Sequence, residues 1–415
     1  MKVLGLITEY NPFHNGHKYH LEKSKEITKA SHTIAVMSGN FVQRGEPALF
    51  DKWDRSSIAI KEGVDLVIEL PTIFSCNSAE FFASGSINLL DSLNIVDYIC
   101  FGSENDNLKN IDLISNLLVK EPTKFKVILK NQLNIGHPFP VARENAIKEY
   151  LGNTLKDINS LNSPNFILGI EYLKALKIIK SKIKPFTLKR IKADYNSTEI
   201  KYDICSATAI RKLLEENYKD IEKLKNLVPR SSYEFISTSI QEGKGPIFVK
   251  DLEKIFLYKL RFSSTKDLKT IHDVVEGLEN RLKKASMICT SYDDLLQYLK
   301  TKRYTMTRLK RILIKAILGI SKEDVNTLAK DLNPQYIRVL GFNSKGAQLL
   351  KSIKESSSLP IITNLKRYNP PNEHSKRMME IDLIATDIYS LLYKEKKLSK
   401  GGYDYIKKPY IDKSI

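Results

Sequence analysis

Val3-Leu-Gly-Leu-Ile-Thr8 runs directly into Glu9-Tyr-Asn-Pro-Phe-His-Asn-Gly-His17, and the junction between these two stretches decides the fold. The first is a short apolar run, bounded by the turn chemistry of Asn11-Pro12, which predicts a buried strand. From His17 to Lys29 the pattern is helical. A strand that passes through a tight turn into a helix points the N–H groups and the positive dipole end of that helix past the strand, a geometry that holds phosphate. Gly16 lets the backbone approach an anion closely. His14 and His17, three residues apart, converge on one ligand when the helix starts around them, and imidazole donates to phosphate oxygens. His20, three further on, shares the face of His17.

The same alternation continues outward. Thr33–Met37, Asp65–Glu69 and Asp97–Phe101 are short apolar runs ending in Ser38-Gly39, Pro71 and Gly102-Ser103, and Asp51–Glu62 and Ser78–Leu93 have helical spacing between them. Strand and helix in regular succession predict an α/β fold, a Rossmann-like parallel sheet wrapped by helices. Residues 107–183 are mostly helical in pattern, Lys184–Ile191 is a candidate fifth strand, and Ser206 is placed to cap a helix running to Leu214. The first domain is expected to span 1–220. Residues 221–415 are expected to form a mostly α-helical basic domain, with helical spacing in Leu252–Leu260, Leu278–Met287, Leu295–Leu299 and Leu309–Leu318. Gln335–Phe342 and Pro360–Thr363 are candidate short strands, and the tail after Lys394 is expected to be poorly ordered.

At 415 residues the chain exceeds the size at which one core normally keeps growing. Its 42% hydrophobic and 27% charged residues exclude a disordered chain. No run approaches a membrane span and Met1-Lys2 opens without a signal-peptide pattern, so a cytoplasmic protein with no membrane partner and no evident obligate protein partner is expected. The four cysteines are far apart without C-x-x-C spacing, which argues against zinc or a disulfide framework. Net charge is +18, and of the 66 basic and 48 acidic residues 38 and 24 fall between Glu216 and Ile415, so the excess that would attract a polyanion sits in the second half. His32, His137, His272 and His374 show no partner pattern and are expected at the surface or in turns.

A second signature, Cys205-Ser-Ala-Thr-Ala-Ile-Arg211, follows the last strand candidate and brings the hydroxyls of Ser206 and Thr208, a helix start and Arg211 to the same edge. His-x-Gly-His after a first strand, preceded by aromatic-Asx-Pro and joined by this Ser-x-Thr-x-Ile-Arg element, resembles the HIGH-motif nucleotidyltransferase superfamily. Where many members carry Asp, this chain has Asn11. Further stretches, among them Met37–Pro47, Asp65–Pro71, Phe101–Glu104, Pro164–Gly169 and Lys302–Thr305, make nearly the whole chain resemble the bacterial tRNA(Met) cytidine acetate ligase family.

That resemblance implies His14, His17 and Arg211 as catalytic residues. It implies ATP contacts from Ile7, Thr8, Glu9, Tyr10, Asn11, Pro12, Phe13, His14, Asn15, Gly16, His17, Lys18, Tyr19 and His20, and from Gly102, Asn165, Arg190, Ser206 and Thr208. The loop residues Ser38, Gly39, Asn40 and Arg44 are expected to line a pocket for a carboxylate or a base, with Arg44 as the carboxylate fork. ATP is the expected co-substrate, accompanied by Mg²⁺, although no dedicated carboxylate cluster for a metal is visible. The implied reaction joins acetate to AMP as acetyl-adenylate and passes the acetyl group to the N4 amine of the wobble cytidine of elongator tRNA(Met). Lys300, Lys302, Arg303, Arg308, Lys310 and Arg311, with Tyr304 as a stacking surface, form the expected tRNA face. Two alternatives are an adenylyltransferase making a coenzyme precursor and a catalytically silent tRNA-binding module.

Overall fold

The structure, a computed structural model, describes residues 1–104, 107–155, 163–189, 205–218, 220–330 and 333–413. Its strands are β1 (Val3–Thr8), β2 (His32–Ser38), β3 (Phe41–Val42), β4 (Glu46–Pro47), β5 (Leu66–Leu70), β6 (Tyr98–Ser103), β7 (Lys184–Lys189), β8 (Ile337–Phe342), β9 (Ile361–Ile362) and β10 (Tyr410–Ile411). The main sheet has the order β10-β8-β5-β2-β1-β6-β7, with β9 on β8, while β3 and β4 pair in a small antiparallel ribbon.

The five strands expected from sequence form one parallel block, β5-β2-β1-β6-β7. Alternate residues of each strand face opposite ways: Val3, Ile34, Val36, Leu66, Ile68 and Ile99 enter one core, and Leu4, Leu6, Ala35, Met37, Val67 and Cys100 enter the other. A sheet buried on both faces needs such continuous apolar strands, which explains why these runs were legible as strands. The helices between them, Asn15–Thr28, Lys52–Lys61 and Ala79–Ser92, lie within two residues of their expected limits. β1 is central and the strand order reverses between β1 and β6. That crevice, beyond the carboxyl ends of β1 and β6, is where open α/β sheets bind ligands.

The expected division at residue 220 does not divide the sheet. β8 pairs antiparallel with β5, and β9 and β10 pair parallel with β8, so the second half supplies three strands. The larger core also runs without a break from Val3 and Phe101 to Leu313, Ile337 and Met378. A buried charge network fastens the two halves: the Lys52 ammonium lies 2.8 Å from Glu69 and 2.9 Å from Asp404, and Arg338 lies 2.6 Å from Asp404. Asp404 belongs to the tail that was expected to be poorly ordered. Instead, that tail forms a short helix, Tyr403–Ile406, and then β10, because burying Lys52 and Arg338 requires its carboxylate. Among the described residues no helix is long and apolar enough to cross a membrane.

Candidate active site

The turn after β1 is anchored by its aromatic residues. Tyr10 and Phe13 are buried with 4.7 Å between ring centroids, and Tyr10 takes a left-handed φ of 46° that turns the chain sharply away from the strand. His14 caps the first helix. Its Nδ1 accepts the Gly16 N–H at 3.0 Å, while its own N–H donates to Nδ1 of His17 at 3.4 Å. Both rings therefore accept at Nδ1 and, when neutral, carry their proton on Nε2 as a donor suited to phosphate oxygens. The rings stack with 3.8 Å between centroids, so the two imidazoles act as one preorganised unit. Asn15 ties this helix start to a distant segment, donating from its side chain to Asn226 O at 2.7 Å and from its backbone to Leu227 O at 3.2 Å. Lys18 pairs with Glu62 at 2.9 Å.

Asn11 is 3% exposed and its Oδ1 accepts the Leu49 N–H at 2.8 Å. Its Nδ2 finds no partner among the described residues. Leaving a buried donor unmet costs about 1–3 kcal/mol, so this amide is suited to donate to an anionic ligand, which an Asp carboxylate there would repel.

The Ser38–Leu49 loop links the first motif to the second. The Gln43 N–H donates to the Glu9 carboxylate at 2.8 Å, Arg44 donates to the Thr208 hydroxyl at 3.5 Å, and Glu46 pairs with Arg211 at 2.5 Å. Ser206 caps the Ala207–Asn217 helix by accepting the Ala209 N–H at 3.2 Å. Burial pushes the Glu9 carboxyl above its ordinary range, and the Gln43 N–H opposes that shift. The loop residues differ in role. Ser38, Gly39 and Asn40 are buried, and Asn40 is committed to the fold, accepting the Lys52 N–H at 2.9 Å and donating to Thr386 at 3.3 Å. Of the four expected pocket residues only Arg44 is exposed.

Two residues that the sequence did not single out hold this arrangement. Arg55, 1% exposed, donates to Phe50 O at 2.9 Å, Glu9 O at 2.5 Å, Ser38 O at 3.1 Å and Gly39 O, so one guanidinium joins the exits of β1 and β2. Glu104 receives Ser163 Oγ and Asn165 Nδ2, each at 2.7 Å, and the Phe166 N–H at 3.1 Å. Asn165 thus sits at the start of the Pro164–Ile178 helix, held by a carboxylate two residues beyond Gly102 of β6. The only cue to Arg55 was a dense charge cluster, Asp51-Lys-Trp-Asp-Arg55, at a helix start. Arg190 lies outside the described residues.

The Met306–Leu318 helix carries the second part of the basic run, from Arg308 onward, and packs onto β4. Lys300, Lys302 and Arg303 are exposed, Arg303 pairing with Glu276 at 2.6 Å. Tyr304 does not offer a stacking face: it is 6% exposed, its hydroxyl donates to Val275 O at 2.9 Å, and Arg308 lies over its ring. Arg308 is held by Asp273, and Lys315 is buried against Asp273, Asn77 and His272. His272 is therefore a partnered residue of the interior margin rather than a surface one, and burial lowers its pKa. Lys310 is half-buried. Arg311 turns toward the motif loop, donating weakly to Gln43 O at 3.5 Å, and its Nε is buried without a partner among the described residues.

The chain is similar to known proteins over nearly its whole length. The profile of the HIGH Nucleotidyl Transferase family matches residues 1–404. The tRNA(Met) cytidine acetate ligase of Acetivibrio thermocellus is 44% identical over 98% of both chains, and that of Caldanaerobacter subterraneus subsp. tengcongensis is 47% identical over 96% of this chain and 98% of its own. The crystal structure of Thermotoga maritima TmcAL bound with alpha-thio ATP superposes with a TM-score of 0.92 at 35% identity, covering 99% of both chains. The chain accordingly belongs to the HIGH nucleotidyl transferases and, within them, to the tRNA(Met) cytidine acetate ligase family.

Proposed function

We propose that this chain is an ATP-dependent ligase that activates acetate as acetyl-adenylate and acetylates the N4 amine of the wobble cytidine of elongator tRNA(Met). One observation carries the reading: the two phosphate motifs, His14–His17 and Ser206–Arg211, are joined through a single loop, to the first by Gln43–Glu9 and to the second by Arg44–Thr208 and Glu46–Arg211. Acetate oxygen attacks the α-phosphorus of ATP, the bond to the β-phosphate oxygen breaks, and pyrophosphate leaves. The cytidine amine then attacks the acyl carbon, AMP departs with the anhydride oxygen, and the amine loses a proton. His14 and His17, the helix start behind them and Arg211 stabilise charge on the phosphates, while Asn11 Nδ2 supplies a further donor. Arg44 and Arg311 are the cations suited to the carboxylate and to the leaving phosphate.

No protein nucleophile is needed, because the mixed anhydride already holds the leaving group. Among the described residues no group of three or more His, Cys, Asp and Glu forms a metal cage. Mg²⁺ fits as a companion of the triphosphate, which supplies its oxygens, and it would neutralise charge there. The chain beyond residue 220, with the exposed Lys300, Lys302 and Arg303, supplies the tRNA face.

The test is pyrophosphate exchange into ATP with and without acetate, followed by transfer to tRNA(Met). Exchange that needs acetate, transfer that yields acetylated cytidine, and loss of both in His17→Ala are expected. Exchange without acetate sinks the ligase in favour of an adenylyltransferase, and no exchange at all favours a silent binding module.

A further inference from the structure

Tyr258 and Phe262 lie four residues apart on the Glu253–Phe262 helix and so share one face of it. They are 65% and 76% exposed, and their rings stack with 5.8 Å between centroids and 15° between planes. Lys254, Leu257 and Arg261 line with the pair an open groove of about 490 Å³. Large aromatic side chains usually hide from water, and two that stack in it beside cations form a surface with a defined occupant chemistry. The Glu253–Phe262 helix packs against the Met306–Leu318 helix, which follows the exposed Lys300, Lys302 and Arg303 and rests on the motif loop.

We propose that Tyr258 and Phe262 are a stacking platform for one unpaired RNA base other than the acetylated cytidine, an assignment that rests on the tRNA substrate proposed above. The π faces take any base, and Lys254 and Arg261 meet the phosphates on either side of it. Charge favours RNA over a second copy of this chain, since a symmetric contact through this face would set Lys254 and Arg261 against themselves. The platform also supplies the aromatic contact that the buried Tyr304 cannot.

The experiment compares wild type with Tyr258→Ala/Phe262→Ala and with Tyr258→Leu/Phe262→Leu. Each is titrated with a labelled anticodon stem-loop and with a fully paired RNA duplex, and assayed for pyrophosphate exchange, acetyl transfer and sedimentation. Stem-loop Kd is expected to rise about 5- to 150-fold in both double variants, with duplex binding and exchange unchanged. Unchanged stem-loop affinity in the Ala pair overturns the platform. So does wild-type affinity in the Leu pair, which keeps the apolar area without the π faces, or a wild-type dimer that the variants dissociate. Wild-type enzyme that binds stem-loop but transfers no acetyl group overturns the ligase function instead, because platform binding is read separately from transfer.

Discussion

Replacing Arg55 by Lys separates a residue that positions the site from one that merely fills space. The guanidinium serves four carbonyls from three segments, Phe50, Glu9 and Ser38-Gly39, inside a region from which water is excluded. An ammonium keeps the charge but has no planar fork, and from one point it reaches about half of those acceptors. Each charged hydrogen bond contributes about 1.5–3 kcal/mol, so losing two costs about 3–6 kcal/mol, a large share of a typical folding free energy. Trp53 is the single tryptophan, is 7% exposed and lies two residues away on the same helix, so its fluorescence reports urea unfolding from the affected spot. Because Glu9 precedes the His14–His17 unit and Ser38-Gly39 leads to Arg44, relaxing the joint shifts the two motifs against each other. A displacement of that kind costs about 100-fold in rate. Pyrophosphate exchange in Arg55→Lys is therefore expected to fall by about that factor while the variant remains folded. A stability loss under about 1 kcal/mol refutes the energetic reasoning, and exchange within about threefold of wild type refutes the positioning role.

Arg211→Ala is expected to lower acetate-dependent exchange by about 10²–10³-fold, as loss of a charge-stabilising donor does, whereas Glu46→Gln should cost less than about tenfold; equal losses would make the pair structural. Burial, with help from the Asp51 carboxylate, pushes Asp54 up to about 7, while the unfolded side chain ionises near ~4. Between those values the native state holds a proton that the unfolded state has released, so this contribution to stability falls as pH rises from about 4 to about 7 and is level above. Asp54→Asn should therefore gain urea stability relative to wild type at pH 8 but not at pH 4, and an identical difference at both would refute it. Lys302→Glu/Arg303→Glu should spare exchange, weaken tRNA transfer and flatten its salt dependence, while Tyr304→Phe, which loses only the hydroxyl bond to Val275 O, should leave the tRNA KM unchanged and cost about 1 kcal/mol of stability.

What the sequence made legible is what depends on local pattern. β1 was expected at Val3–Thr8 and stands there, because an apolar run next to Asn-Pro admits few other structures. Ser206 was expected as a cap and caps, because that bond spans three residues. The two-residue strand Tyr410–Ile411 carries no periodicity of its own, and its place comes from β8, some 70 residues earlier in the chain. Lys52, Arg55 and Arg338 were illegible for another reason: charge in a sequence signals solvent, and only the approach of Glu69, Asp404 and the loop carbonyls makes burial tolerable. Tyr304 misled by its neighbours, since a basic run suggests an exposed face while the ring itself turns inward under Arg308.

The closing of the second half onto the sheet bears directly on the chemistry. An acyl-adenylate is open to hydrolysis as well as to attack by a cytosine amine, so activation and transfer work best when both partners are held by one piece of protein. Gly45 permits the close approach on which that depends: it takes a φ of 75°, and a Cβ there would come within 2.5 Å of the Arg311 backbone nitrogen. Only glycine lets the loop that carries Arg44 and Glu46 lie directly on the Met306–Leu318 helix. The loop in turn is bonded to the first motif through Gln43 and to the second through Arg44 and Glu46. Both motifs and the Met306–Leu318 helix therefore share the Ser38–Leu49 loop as their common support, and the exposed Lys300, Lys302 and Arg303 just before that helix, proposed above to meet tRNA, are referenced to the motif loop by a few direct contacts rather than by a flexible linker.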